Sequence, residues 1–190
     1  ILLHRALARV DVGLRFKDQT QDNQTEEVEG LDNFKINSIR VYRTKNQAYA
    51  ATSADRMNGE KVITPHIPGT AKYNSDDGQK EYDNLKDADQ DPLVYKVNSS
   101  STSKGVDSFV REIYIPESIE SVDGKNMDEV PCLVIGGFYN DSDTETFYRA
   151  DFATYKDGKT VEKYLPVLRN NRYVINIRSV KNSGFKEPDQ

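Results

Sequence analysis

The stretch "RALARVDVGLRF", residues 5–16, carries Ala6, Ala8, Val10, Val12, Leu14 and Phe16 at every second position. Arg9, Asp11 and Arg15 take alternate positions, and a period of two with one apolar phase is the mark of a half-buried strand. The same grammar recurs downstream. "RYVINIRSV" (172–180) sets Tyr173, Ile175 and Ile177 against Arg172, Asn176 and Arg178, and "TETFYRADFATY" (144–155) sets Tyr148, Ala150 and Phe152 against Arg149 and Asp151. "FVREIYIPES" (109–118) is a further strand, and "VPCLVIGGFYN" (130–140) is apolar at consecutive positions from Cys132 to Ile135, as in a strand buried on both faces.

"FKINSIRVYRT" (34–44) places Phe34 and Ile36 on one phase and Ile39 and Val41 on the other, so the alternation slips near Asn37-Ser38, which predicts a β-bulge. Between these runs lie Asp123-Gly124 and Asp157-Gly158, dipeptides favoured in tight hairpins. Residues 44–108 are rich in Ser, Thr, Asn, Asp, Gly and Pro and predict long loops. Within them, "KVITPHIP" and "DPLVYKV" read as edge strands and "QKEYDNLKDA" (79–88) as a short helix. No sustained helical stripe and no period of about 20 to 50 residues is present. The reading is an all-β protein, an antiparallel β-sandwich with long loops.

Bulk numbers narrow the function classes. A chain of 190 residues is long enough to bury a core without staples, and its one cysteine, Cys132, excludes an intrachain disulfide. With 31 acidic and 26 basic residues the net charge is −5, which argues against general attraction to nucleic acid or anionic lipid. Mean hydropathy is −0.77, and no apolar run reaches the roughly 20 residues of a membrane-spanning helix. The first residue is Ile1 rather than Met, so the sequence reads as an interior piece of a longer product.

Motifs for chemistry are sparse. Gly136-Gly137 lacks the frame of a phosphate-binding loop and reads as a point of close backbone approach or a bulge. His4, His66 and Cys132 are far apart; the histidines read as solvated or edge residues, and Cys132 as a small core residue rather than a nucleophile. Asp141, Asp143 and Glu145 in "NDSDTE", and Asp87, Asp89 and Asp91 in "KDADQDP", alternate as calcium ligands do. Both runs lack the glycine and the distal glutamate of a calcium loop, so solvated acids are the reading. With two histidines and no GxSxG elbow, a hydrolase has little support. Catalytic, cofactor-binding and metal residues are therefore assigned to none, no cofactor is expected, and binding residues stay unassigned.

"CLVIGGFYNDSDTETFYRADF" (132–152), followed by "YLPVLRNNRYVINIRSVKNSGFKEPD" (164–189), resembles the fimbrillin family of Bacteroidales, the subunits of type V pili. "LHRALARVDVGL" and "NFKINSIRVYRT" are also similar to family segments, and the likeness is most specific in "FYRADF" and "LRNNRYVINI". The resemblance implies a transthyretin-like, Greek-key sandwich. Residues 1–18 would form a strand belonging to, or bridging from, a preceding N-terminal β-domain, and residues 19–190 the C-terminal fimbrillin-type domain. It further implies a lipoprotein precursor exported to the outer-membrane surface. There it would become a structural and adhesive fimbrial subunit, polymerising with other pilin subunits by donor-strand exchange after an arginine-specific protease acts. Tyr173, Ile175 and Ile177 would anchor a late strand launched by "RNNRY". The alternative is a non-polymerising glycan-binding or adhesion module of the same fold, using loops between residues 44 and 108.

Overall fold

The alternation in residues 5–16 becomes the central strand of a sheet, β1 (Ala8–Leu14), whose Ala8, Val10, Val12 and Leu14 are completely buried. The computed structural model describes residues 5–17, 26–44, 57–58, 61–62, 92–97, 104–118, 131–156 and 160–188. Along the chain follow β2 (Phe34–Tyr42), β3 (Met57–Asn58), β4 (Lys61–Val62), β5 (Leu93–Lys96) and β6 (Ser108–Ile115). Then come β7 (Cys132–Tyr139), β8 (Glu145–Asp151), β9 (Ala153–Lys156), β10 (Thr160–Tyr164) and β11 (Arg172–Ile177). Among the described residues there is no helix.

Two sheets share one core. The first has the order β11-β1-β6 and the second β5-β2-β7-β8, with β9-β10 and β3-β4 as separate two-stranded ribbons. Val10, Val12, Ile113 and Ile115 from the first sheet, and Ile36, Ile39, Leu133 and Ile135 from the second, belong to a single buried cluster. Tyr173, Ile175 and Ile177 pack against it from β11. This is the layering of a β-sandwich, in which apolar burial contributes on the order of 1.5–3 kcal/mol per large aliphatic side chain.

The predicted slip is present: the β2–β7 register shifts between Ile36 and Ser38, which lets both apolar phases of β2 face inward on either side of the bulge. Opposite it, Gly136 and Gly137 are the close approaches expected of them. A Cβ on Gly136 would collide with the Glu145 carboxylate and the Ser38 hydroxyl, and one on Gly137 with the Phe34 ring and the Lys35 carbonyl. Cys132 to Ile135 are buried throughout, and "DPLVYKV" supplies the edge strand β5, with Leu93 and Val94 exposed.

Three features differ from the sequence reading. The pairing is antiparallel except for β1 with β11, which run parallel through six register pairs from Arg9–Arg172 to Leu14–Ile177. A parallel partner needs a long return path, and here the return is the rest of the chain. Second, "TETFYRADFATY" is not one strand. Phe152 turns into the core between β8 and β9, meeting Tyr173 edge-to-face at 5.4 Å, and the strand beyond it pairs with β10. Third, Asp11, placed by its phase on the solvent side, is fully buried.

Residues 26–31 fold back on the end of β1: Phe16 bridges Val28, and the Gly30 amide donates to the Leu14 carbonyl at 3.0 Å. His4, His66, Asp87, Asp89, Asp91, both Asp-Gly turns, the helix expected at 79–88 and the boundary expected around residue 18 lie outside the described residues or at their margin.

Candidate functional site

A sandwich of two open sheets has two sides where edge strands face each other, and the two sides here differ. On one, β5 ends one sheet and β6 ends the other. On the other, β8 ends one sheet and β11 ends the other, and between them lies a cleft of about 880 Å³. Its floor is the core itself: Phe34, Ile135, Ala150, Ile175 and Ile177 reach it. The β1–β11 ladder uses the Asn171 carbonyl for the Arg9 amide and the Ile177 carbonyl for the Arg15 amide. By strand alternation, Arg172, Val174 and Asn176 turn their backbone groups to the outer edge of β11.

The cleft's outer wall is the segment 178–185, which continues from β11 and crosses to β8. Side chains from β7, β8 and the turn before β2 hold its carbonyls. The Asn33 amide donates to Val180 at 2.8 Å, the Tyr139 hydroxyl to Lys181 at 2.9 Å and the Tyr148 hydroxyl to Asn182 at 2.9 Å. Only at Phe147 and Phe185 do segment and strand exchange both backbone bonds, at 2.9 and 3.0 Å. Gly184 is required just before it, because a Cβ there would strike the Phe147 carbonyl. Phe185 itself is 58% exposed and Tyr155 42%, so two aromatic rings stand at the mouth.

Two charged clusters brace the frame around the cleft. On the outer face of the first sheet, Asp11 fills a bulge where the β1–β6 register shifts and Arg111 adopts a φ of 62°. The Arg111 amide donates to Asp11 Oδ1 at 2.9 Å, Arg9 Nε donates to the same atom at 2.8 Å, and Arg172 Nε donates to Oδ2. Glu26 then bridges Arg9 and Arg111. Burial would push the Asp11 pKa up, but the hydrogen bonds from Arg9, Arg111 and Arg172 outweigh it and hold the carboxyl below the usual range. The second cluster is a buried pair, Arg169 Nε to Glu117 Oε1 at 2.7 Å, with both side chains 1% exposed. It lies beside the Ser118 amide's bond to the Val167 carbonyl at 2.9 Å, so it joins the end of β6 to the turn before β11. That turn is completed by Tyr173, whose hydroxyl accepts from the Leu168 amide and donates to the Pro166 carbonyl, both at 2.8 Å.

The acidic run at 141–145 does not converge. Lys104 Nζ donates to the Asp141 carbonyl at 2.8 Å and to Asp143 Oδ1 at 2.6 Å, so an ammonium stands where a metal would. Glu145 turns away and accepts from the Ser38 hydroxyl at 2.6 Å. Among the described residues no three His, Cys, Asp or Glu gather as metal ligands. Cys132 is buried with Tyr42, Val134 and Phe147 in a small cluster apart from the main core, and Arg43 Nη1 donates to its sulfur at 3.7 Å. No described helix is long and apolar enough to cross a membrane.

The cleft and both charged clusters were missing from the residue-level reading. Asp11 and Arg9, two apart on one strand, were the only local signal; the Glu117–Arg169 pair joins positions 52 apart, and the β8–β11 gap arises from pairing across most of the chain. Comparison of the chain with family models, with characterised proteins and with solved structures finds no match.

Proposed function

We propose that this chain is a structural and adhesive subunit of a cell-surface fimbria, joined to neighbouring subunits by strand addition and without catalysis or cofactor. The observation that carries the reading is the cleft between β8 and β11, floored by core residues and flanked by the terminal strands of both sheets. An extended segment entering it would add main-chain hydrogen bonds along an edge and set alternate side chains against Ile135, Ala150, Ile175 and Ile177. Each well-buried anchor stabilises such a contact by about 1.5–3 kcal/mol. The fimbrillin-like runs "FYRADF" and "LRNNRYVINI" support the same reading, since they supply β8 and β11.

The finer fold assignment, a transthyretin-like Greek key, is supported by the Tyr173 hydroxyl bonding back to the chain before its own strand, the arrangement of the tyrosine corner in Greek-key sandwiches. The location that goes with this reading is the outer-membrane surface, reached as a lipoprotein precursor. The partners are other pilin subunits and the surface to which the fimbria adheres. The test is laddering of the full-length gene product in SDS before and after cleavage by an arginine-specific protease. Ladders that form only after cleavage are the expected result; a product that stays monomeric in both conditions overturns the shaft-subunit reading. The second reading, a glycan-binding adhesion module, draws on Tyr155 and Phe185 standing at the cleft mouth, and a glycan array tests it.

A further inference from the structure

The cleft has a charge as well as a shape. Of the 18 described residues lining it, none is Asp or Glu, while Arg149, Arg178 and Lys181 are basic, in a chain whose net charge is −5. Arg149 is paired with Asp151 at 2.8 Å. Arg178 and Lys181 lie on the exposed outer wall, and among the described residues neither forms an ion pair. Arg15 adds another guanidinium at this end, its Nε donating to the Arg178 carbonyl at 3.3 Å. The floor is apolar and the rim cationic, so the surface matches an extended segment with apolar residues on its inner phase and carboxylates on its outer phase.

We infer that the β8–β11 cleft selects an acidic peptide strand, and that Arg178 and Lys181 are the residues that read its charge. The inference rests on the strand-addition reading and names the chemistry of the strand. The two exposed cations on the rim also discriminate against a basic segment by repulsion, which sets one partner apart from others of equal hydrophobicity. Because Arg178 and Lys181 are exposed, they act on selection and on the rate of encounter, while the floor supplies the durable contact.

The experiment uses three fluorophore-labelled nonapeptides, capped at both ends, that alternate Val with Asp, with Asn or with Lys. Binding to the 190-residue chain is followed by anisotropy at low and high salt. The expected order is Asp over Asn over Lys. Two exposed charge pairs together change affinity about three- to thirtyfold at low salt, and less at high salt. In the double variant Arg178→Glu/Lys181→Glu the order reverses; both side chains are exposed, and an unchanged melting temperature confirms that the fold is retained. Equal binding of all three peptides overturns the charge selection and leaves strand addition standing. No binding by any peptide overturns both. Binding of a sialylated oligosaccharide in place of the peptides, lost in the double variant, overturns both in favour of an anionic-glycan site.

Discussion

Glu117 and Arg169 offer the most demanding test of how the fold is held. Their side chains are 1% exposed and 2.7 Å apart, between the end of β6 and the turn that launches β11. At an effective dielectric of about 20 the attraction at that separation is roughly 6 kcal/mol, while withdrawing each ion from water costs several kcal/mol. The pair thus stands near balance against an apolar substitute, whereas removing either partner takes from the other, still buried, the opposite charge that faces it at 2.7 Å. Glu117→Leu, or Arg169→Met, is expected to destabilise the chain by about 3–5 kcal/mol. At about 2–4 °C per kcal/mol for a chain of this size, the melting temperature falls by about 6–20 °C. The double variant Glu117→Leu/Arg169→Met removes both charges and is expected to lie within about 1–2 kcal/mol of the parent. Urea unfolding of the four proteins closes the cycle. Single variants costing under about 1 kcal/mol, or a double variant as unstable as the sum of the singles, would refute the argument that charge compensation holds this junction.

Three further outcomes follow from the same frame. Gly137→Ala, whose Cβ would meet the Phe34 ring and the Lys35 carbonyl, is expected to lose about 1–3 kcal/mol in thermal unfolding. Tyr173→Phe strips the hydroxyl from the Leu168 amide and the Pro166 carbonyl, and urea midpoints should register a loss of about 1–3 kcal/mol. Asp11 has its folded pKa depressed below the ordinary value of 3.8, so its stabilisation is fully present above that value and is lost as pH falls through the lower folded value. Asp11→Asn should therefore be least stable relative to the parent near neutrality and converge with it in acid, as read from urea midpoints between neutral pH and about pH 2.5. A gap that widens in acid would contradict the assignment.

The local grammar of this chain is largely readable where one face of a strand is buried. The alternation of Val10, Val12 and Leu14, the slip at Asn37-Ser38 and the continuous burial from Cys132 to Ile135 all reappear in the structure, because side-chain phase alone determines them. What failed to be read depends on partners distant in sequence. Asp11 has the phase of a solvent-facing residue, and it is buried only because Arg172 and the Arg111 amide converge on it from neighbouring strands. Phe152 continues the alternation of β8, yet the chain turns there because the ring finds Tyr173. Lys104 reaches the acidic turn at 141–143 from 37 to 39 positions away, which no spacing rule within that turn could show. The cleft is the extreme case: β8 and β11 become its walls only once β1 has paired with a strand more than 150 positions downstream.

That parallel pair also sets the direction in which the domain resists force. Tension applied through the residues before β1 and after β11 draws two parallel neighbours in opposite directions along their own length. The six register pairs from Arg9–Arg172 to Leu14–Ile177 are then loaded together in shear, rather than peeled one at a time as in a hairpin pulled from its open end. The Arg172 bond to Asp11 ties the same two strands side chain to side chain and shares the load. A filament whose stress passed along this line would load that seam in shear.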